Sequence, residues 1–433
     1  MKEQIRVDFW LKKTLVILTM SLPVILLIFI ASIPSLTPGK LTAAECQIKK
    51  WRLPESANNK PQVVTNGKQP TPAVLIPRVP VTCCLNDGSC LDEALYQNQA
   101  DKKALLTSLD RSLQYLKTTR AEEAYKKYPV SGITRDRVFK SLTRFRQLLL
   151  TTNSPTELHK AIENEFVLYQ SIGRDSKGSV LFTAYYEPLY TASRTPTPEY
   201  RYPAYKLPPD LGSWPRPHPT RLELEGADGL QAAKGKLRGL ELLWFRDRLE
   251  PYMVQIQGSA RIQLTDGTTT TIGYAGNTAY DYKSIGRELA NDGKLPLEGM
   301  TMPIILDYFQ KYPQELNVYI PRDRSFVFFQ ENKGAPAQGS ISVPLTAERS
   351  IATDKSLMPP GALALIRADF PFANDTGKLE HRIVSRYVLD QDTGGAIKGP
   401  GRVDYFLGTG KLAGDRAGVT VGNGQLFYLL LKS

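Results

Sequence analysis

The hydrophobic pattern changes character along the chain, and each change marks a different kind of segment. From Leu15 to Leu36 no charge interrupts an apolar run, and about 20 apolar residues in a helix span a bilayer core. Lys2, Arg6, Lys12 and Lys13 precede it, so the N-terminus stays in the cytosol and everything after Leu36 is exported. The run reads as an uncleaved anchor or a long signal peptide. From Lys50 to Val81 hydrophobic periodicity disappears and prolines recur (Pro54, Pro61, Pro70, Pro72, Pro77, Pro80), the pattern of a tether.

Helical spacing then takes over. Leu105, Leu109, Leu113 and Leu116 share one helical face, as do Val138, Leu142, Phe145 and Leu149. Ser154-Pro155-Thr156-Glu157 predicts an N-cap, a first-turn proline and a capping box, followed by an apolar face of Leu158, Ile162, Phe166 and Tyr169. After Gly178 the period shortens to two. Val180 to Tyr186 predicts a strand closed by Glu187-Pro188. Tyr252 to Leu264 alternates, and Asp266-Gly267 signals a hairpin before Thr268 to Tyr274. Further strands are expected at Asn317 to Ile320, Ser325 to Gln330, Ala362 to Arg367, His381 to Leu389 and Gln425 to Leu431, with one helix at about Ser284 to Asp292. Many short strands with glycine corners imply a closed barrel rather than an open parallel sheet.

Composition adds bounds. The 433 residues are enough for two or three domains, and the formal charge of +12 suits an acidic partner. Basic residues are scattered, as on a solvated cationic surface, and export sets nucleic acid aside as that partner. Cys46, Cys83, Cys84 and Cys90 all lie in the first ninety residues, an even number in an exported segment that reads as a disulfide staple. Their absence further on excludes thiol nucleophiles and cysteine–zinc sites there. Glu45 stands before Cys46 where a lipoprotein signal needs a small residue. His159, His218 and His381 are far apart and lack metal spacing, so structural roles are expected and no metal or cofactor is implied.

The run from Asp392-Thr393-Gly394-Gly395 through Lys398 and Arg402 to Asp404 carries two carboxylates beside two basic residues. Read by itself it fits acid/base chemistry, and equally turn aspartates that bond their own backbone. Asp392-Thr393-Gly394 is also the aspartic-protease tripeptide, and a second copy stands at Asp375-Thr376-Gly377, so the tripeptide by itself leaves open a pair of carboxylates sharing one proton.

Longer blocks decide between these readings. Phe182 to Pro188, Gln255 to Ala260, Asp266-Gly267, Tyr274, Gly276-Asn277 and Tyr282 to Gly286 resemble, in order, the membrane-bound lytic transglycosylase A family. The C-terminus is similar to its three-aspartate (3D) domain through Asp354, Asp392 and Asp404. The resemblance implies a mainly β protein with N-terminal helices: a six-stranded double-psi β-barrel, a second β domain inserted into it and a substrate groove between. Expected borders are 1–36 for signal or anchor, 37–90 for the tether, 91–200 for helices and the first part of the barrel, 201–337 for the insert and 338–433 for the rest of the barrel. It implies a periplasmic or envelope enzyme acting on peptidoglycan glycan strands, without cofactor, in the company of a wall-synthesis or division complex.

For the site, the resemblance implies Asp404 as the acid/base and Asp392 as its support. Substrate contacts are expected from Tyr185, Tyr186, Glu187, Gln257, Gly258, Ser259, Tyr274, Asn277, Asp354, Gly394, Gly395 and Lys398. The tyrosines are expected to stack on sugars, and Gln257, Ser259 and Asn277 to bond acetamido or hydroxyl groups. Because an ordinary aspartate has pKa ~3.9, an acid at Asp404 needs burial or the charge of Asp392 to raise it. Lys398 and Arg402 are therefore expected to point away or bind substrate. The rival from another class is a noncatalytic envelope glycan binder on the same barrel.

Overall fold

Each early helix begins where a short polar side chain takes the first free amides. In the computed structural model, which describes residues 74–78, 91, 92 and 94–432, α1 (Gln99–Leu116) is capped by Asn98 and α2 (Thr119–Lys126) by Thr118. Thr134 caps α3 (Arg135–Thr151) and Ser154 caps α4 (Pro155–Glu165). The Ser154 hydroxyl accepts from the Glu157 amide at 3.2 Å, while Glu157 bonds the Asn153 amide at 2.8 Å, one residue before the expected box partner. The stripes on α1 and α3 are buried as their spacing requires, Leu113 less fully than the rest. That on α4 is cut short. Helix ends at Glu165, and Phe166 to Ser171 is extended because β-forming side chains there pair with the C-terminal strand.

The strands, in chain order, are β1 (Leu75–Arg78), β2 (Phe166–Ser171), β3 (Val180–Glu187), β4 (Leu189–Ser193) and β5 (Tyr202–Tyr205). Next come β6 (Glu241–Phe245), β7 (Ser259–Leu264), β8 (Thr269–Asn277) and β9 (Val327–Glu331). The last are β10 (Ser350–Ala352), β11 (Leu363–Ala373), β12 (Leu379–Asp392), β13 (Arg402–Thr409) and β14 (Val421–Leu431).

Strands β3, β13, β10, β12, β11 and β14 pair in that order, and β14 returns to β3, closing a six-stranded barrel. The β3–β13 and β10–β12 pairs are parallel and the others antiparallel. The barrel is of the double-psi type, as expected. Strands β2 and β1 extend it from β14. Four residues of the proline-rich stretch read as tether are thus part of the sheet, and Val74 and Leu75 sit in its core. Helices α1 and α3 cover the barrel through that core and through a buried polar patch, where Gln391 donates to the Ser108 carbonyl and the Ser112 hydroxyl, both at 2.9 Å. The apolar run Leu15 to Leu36 and all four cysteines lie outside the described residues, among which no helix is long and apolar enough to cross a membrane.

A second, six-stranded sheet has the order β5-β6-β4-β7-β8-β9. The chain enters it at Pro188, earlier than the border expected near Arg201, since Leu189 already pairs with Arg261 of β7. The Asp266-Gly267 hairpin forms as predicted, with Gly267 at φ 87°. Two sequence readings fail in this sheet. The first half of the alternation from Tyr252 is helix, α5 (Leu249–Gln257), ended by Gly258 at φ 81° before β7 begins. Asn317 to Ile320 is helical turn, with Leu316, Tyr319 and Ile320 facing a small core shared by α6 (Ile285–Asn291) and α7 (Met302–Lys311).

Candidate active site

Strand alternation decides which side chains meet. On β3, Val180 and Phe182 enter the barrel core, so Thr183 and Tyr185 face the other side. On β13, Val403, Tyr405 and Leu407 enter the core, and Asp404 and Phe406 share the opposite face. Phe406, Tyr185, Ala352, Leu345, Ala337 and Ile397 form an apolar floor there. Register then sets a row. Thr183 lies opposite Asp404, Asp404 opposite Ala352, and Ala352 opposite Asp392. Neighbouring strands stand about 4.8 Å apart, so the two aspartate backbones are separated by roughly 10 Å with only a methyl group between. The β10–β12 register shifts between Ile351 and Ala352, so an irregularity of the kind that often re-aims side chains beside active sites delivers Asp392 to this row.

The two carboxyls are held differently. Asp392 takes three donors: the Tyr185 hydroxyl on Oδ2 at 2.7 Å, and the Ser340 and Thr393 amides on Oδ1 at 2.8 Å each. Asp404 takes one, the Thr183 hydroxyl on Oδ1 at 2.7 Å, and no protein donor reaches Oδ2 among the described residues. Burial raises both above the ordinary aspartate value. For Asp404 the bond from Thr183 and the charge of Arg402 oppose the rise and the charge of Asp392 adds to it, leaving the carboxyl at about 6. For Asp392 the three donors and Lys355 oppose it. Asp404 keeps part of its surface open although its carboxyl is closely surrounded, which is how a side chain meets a substrate and still feels burial.

Arg402 does not turn away from Asp404. Its Nη2 donates to Thr183 Oγ1 at 3.0 Å. Lys398 is exposed and lies near Asp354. Asp354 braces the loop: Oδ1 accepts the Ser356 amide and hydroxyl at 3.0 and 2.6 Å, and Oδ2 accepts the Gly399 amide at 2.8 Å. Burial pushes this carboxyl up, but those bonds and Lys398 outweigh it and bring it below the ordinary range.

The tyrosines divide. Tyr185 offers no face for a sugar, because its ring is buried against Phe406 at a centroid distance of 5.2 Å and its hydroxyl is committed to Asp392. Tyr186 faces the other side of β3, its ring against Gly414 of α8 (Lys411–Val419). Gln257 reaches the barrel at the Tyr186 amide, 3.1 Å away, rather than at the aspartates. Gly258 accepts the Tyr274 amide through its carbonyl, and Ser259 is buried. Tyr274 is 53% exposed and bonds Asn277, so these two form an open pair on the insert. Glu187 is buried where the sheets meet, accepting Thr409 of the barrel at 2.8 Å and facing Arg261 of the insert at 3.4 Å. Gly394 accepts the Ile397 amide through its carbonyl, and a side chain on Gly395 would stand 3.7 Å from Tyr282 of the insert. Sequence reasoning missed Thr183, Ser340, Tyr282 and Lys355, whose Nζ pairs with buried Asp390 and bonds the Asp392 carbonyl. Only Thr183 carried a usable signal, sharing the face of Tyr185 two residues on.

Residues 181–330 match the MltA specific insert domain and residues 349–430 the 3D domain. The chain is 34% identical to membrane-bound lytic murein transglycosylase A of Escherichia coli K12 over 253 residues, 58% of this chain and 65% of that one. It therefore spans just under two thirds of that relative. With the protein of the same name from Vibrio cholerae it shares 32% over 265 residues, 60% of this chain and 68% of that one. The chain belongs to the membrane-bound lytic murein transglycosylase A family. The fold agrees: the structure of Escherichia coli MltA with bound chitohexaose superposes with a TM-score of 0.62 at 25% identity, covering 86% of this chain and 98% of that one. The match to the insert domain begins at residue 181, on β3, a barrel strand that carries both Thr183 and Glu187.

Proposed function

We propose that the protein is an envelope lytic transglycosylase. It cleaves the β-1,4 bond between N-acetylmuramic acid and N-acetylglucosamine in peptidoglycan and leaves 1,6-anhydromuramic ends. The observation that carries this reading is the unequal pair of aspartates. Asp392, with donors on both oxygens, is fixed in place by its hydrogen bonds. Asp404, with one donor and one free oxygen, is suited to change its proton.

A glycosidase ordinarily needs a second carboxyl as base or nucleophile. Here the muramic C6 hydroxyl takes that part, attacking C1 of its own ring, with the large effective molarity of an intramolecular reaction. Asp404 first gives its proton to the departing N-acetylglucosamine O4, then removes one from the C6 hydroxyl, and ends as it began. A value of about 6 for Asp404 suits both halves of the cycle. At pH 7 about one molecule in ten holds the acid form, and an unperturbed aspartate would hold about one in a thousand.

The glycan lies between barrel and insert in this reading, with Tyr274 offering a ring face and Asn277 a polar group beside it. The relative with bound chitohexaose supports an extended N-acetylated sugar chain as ligand. The N-terminal apolar run, as anchor or signal peptide, supports export to the envelope. Digesting purified murein and weighing the products tests the proposal. Anhydro-muropeptides support it, reducing-end muropeptides mean a hydrolase, and intact murein that retains the protein means a binder.

A further inference from the structure

A hydroxyl has one proton to give, and a guanidinium has only donors. Arg402 Nη2 stands 3.0 Å from Thr183 Oγ1, which stands 2.7 Å from Asp404 Oδ1. Thr183 must therefore accept from Arg402, and its single proton is directed at Oδ1. Oδ1 is thereby engaged as an acceptor, and because an O–H oxygen accepts more weakly than a carbonyl oxygen, it is the less favourable site for the acid proton. That proton belongs on Oδ2, which has no protein partner among the described residues.

We propose that Arg402 and Thr183 are positioning residues, a donor chain that fixes the transferable proton of Asp404 on Oδ2, the oxygen left free for substrate. The proposal builds on the transglycosylase reading. Its cost is visible in the structure: Arg402 Nε is buried without a partner, and among the described residues no carboxylate pairs with this guanidinium. A buried donor left unpaired opposes stability, so the position of this guanidinium is not explained by its own hydrogen bonds.

The groups around the acid are few. Thr183 and Tyr185 face it from β3, Arg402 from β13 and Asp392 from β12, with Asp390 and Lys355 behind Asp392 and Tyr282 of the insert beside Arg402. Of these, Arg402 and Asp392 act on Asp404 through charge, in opposite directions, and Thr183 acts through its bond. Removing Arg402 removes one opposing charge and also frees the Thr183 proton to turn elsewhere, leaving the acid proton shared between Oδ1 and Oδ2.

The test is an NMR titration of full-length protein labelled with carboxyl-13C aspartate, using Asp404→Asn to assign the resonance. We expect the Asp404 midpoint to rise by about one pH unit in Arg402→Met and in Thr183→Val, and Thr183→Ser to restore it. On murein, kcat should fall roughly three- to tenfold in the first two variants with KM little changed, and the alkaline limb should move up with the midpoint. A purely structural role moves neither limb nor midpoint. A folded Arg402→Met with the wild-type midpoint overturns the proposal, as does a Thr183→Ser that melts like wild type but keeps the Thr183→Val midpoint. The titration decides the pair without reference to turnover. Absence of anhydro-muropeptides from wild type would sink only the activity reading.

Discussion

Asp404 and Asp392 sit on one row of the barrel, yet their hydrogen bonds differ, and exchange of a few atoms tests the tasks proposed for them. Asp404→Asn keeps the acceptor for Thr183 and loses the proton, so release of anhydro-muropeptides should fall by about 10²–10⁴ while murein binding persists. Near wild-type release from folded Asp404→Asn would remove Asp404 from its role. The raised value also fixes pH behaviour. With the acid form needed to start, kcat/KM should decline tenfold per unit above about pH 6. For stability the sign is set by the same shift. A carboxyl whose folded value lies above its unfolded one favours folding fully below the unfolded value, and that gain is lost as pH rises through the folded one. Asp404→Asn should therefore melt above wild type at pH 7, by on the order of 1 kcal/mol after allowance for partial exposure, and the advantage should vanish near pH 4. Equal melting at both values would contradict the burial of this charge. At this scale the sequence exposed Asp404 and Asp392 through a multi-residue resemblance. Thr183 stayed hidden because it meets Asp404 across 221 residues through a parallel pairing that local pattern does not encode.

Elements whose signals are local were legible, and those decided by distant pairing were not. The cap at Ser154, the helix expected from about Ser284 and the turn at Asp266-Gly267 all lie where local side-chain chemistry put them. Phe166 to Ser171 and Met253 to Gln257 were misassigned for one reason: their apolar spacing suits helix and strand alike, and the neighbouring sheet decides. The same applies to β1. Read as tether, it buries Val74 and Leu75 and covers the edge of β2. Burying two such side chains is worth roughly 3–5 kcal/mol. A fragment beginning at Ala73 should therefore resist urea better than one beginning at Leu91 by about that much, measured by linear extrapolation of denaturation curves. Coincident curves would return the strand to the tether.

At the scale of the whole molecule, function depends on how firmly the insert is held against the barrel. Glu187 ties Thr409 to Arg261 at the crossing, and Gln257 bonds the Tyr186 amide. A third contact comes from α8, which carries Gly414 and Gly418 one turn apart on one face, although glycine within a helix costs about 1 kcal/mol relative to alanine. Space explains both. A side-chain carbon at Gly414 would stand 2.8 Å from the Tyr186 ring, and one at Gly418 would stand 3.1 Å from Pro303 of α7. This face thus lets α8 pack against β3 of the barrel on one turn and against α7 of the insert on the next. Gly418→Leu raises helix propensity but cannot keep the approach to Pro303, so α7 is expected to move outward and the space between the sheets to change. Because Asp404 and its partners lie on β3, β12 and β13, outside that contact, the acid should be undisturbed. Gly418→Leu is therefore expected to raise KM for long glycan strands several-fold with kcat within about twofold, the signature of lost binding without lost transition-state contact. A fall in kcat at constant KM would show that α8 supports the acid row directly.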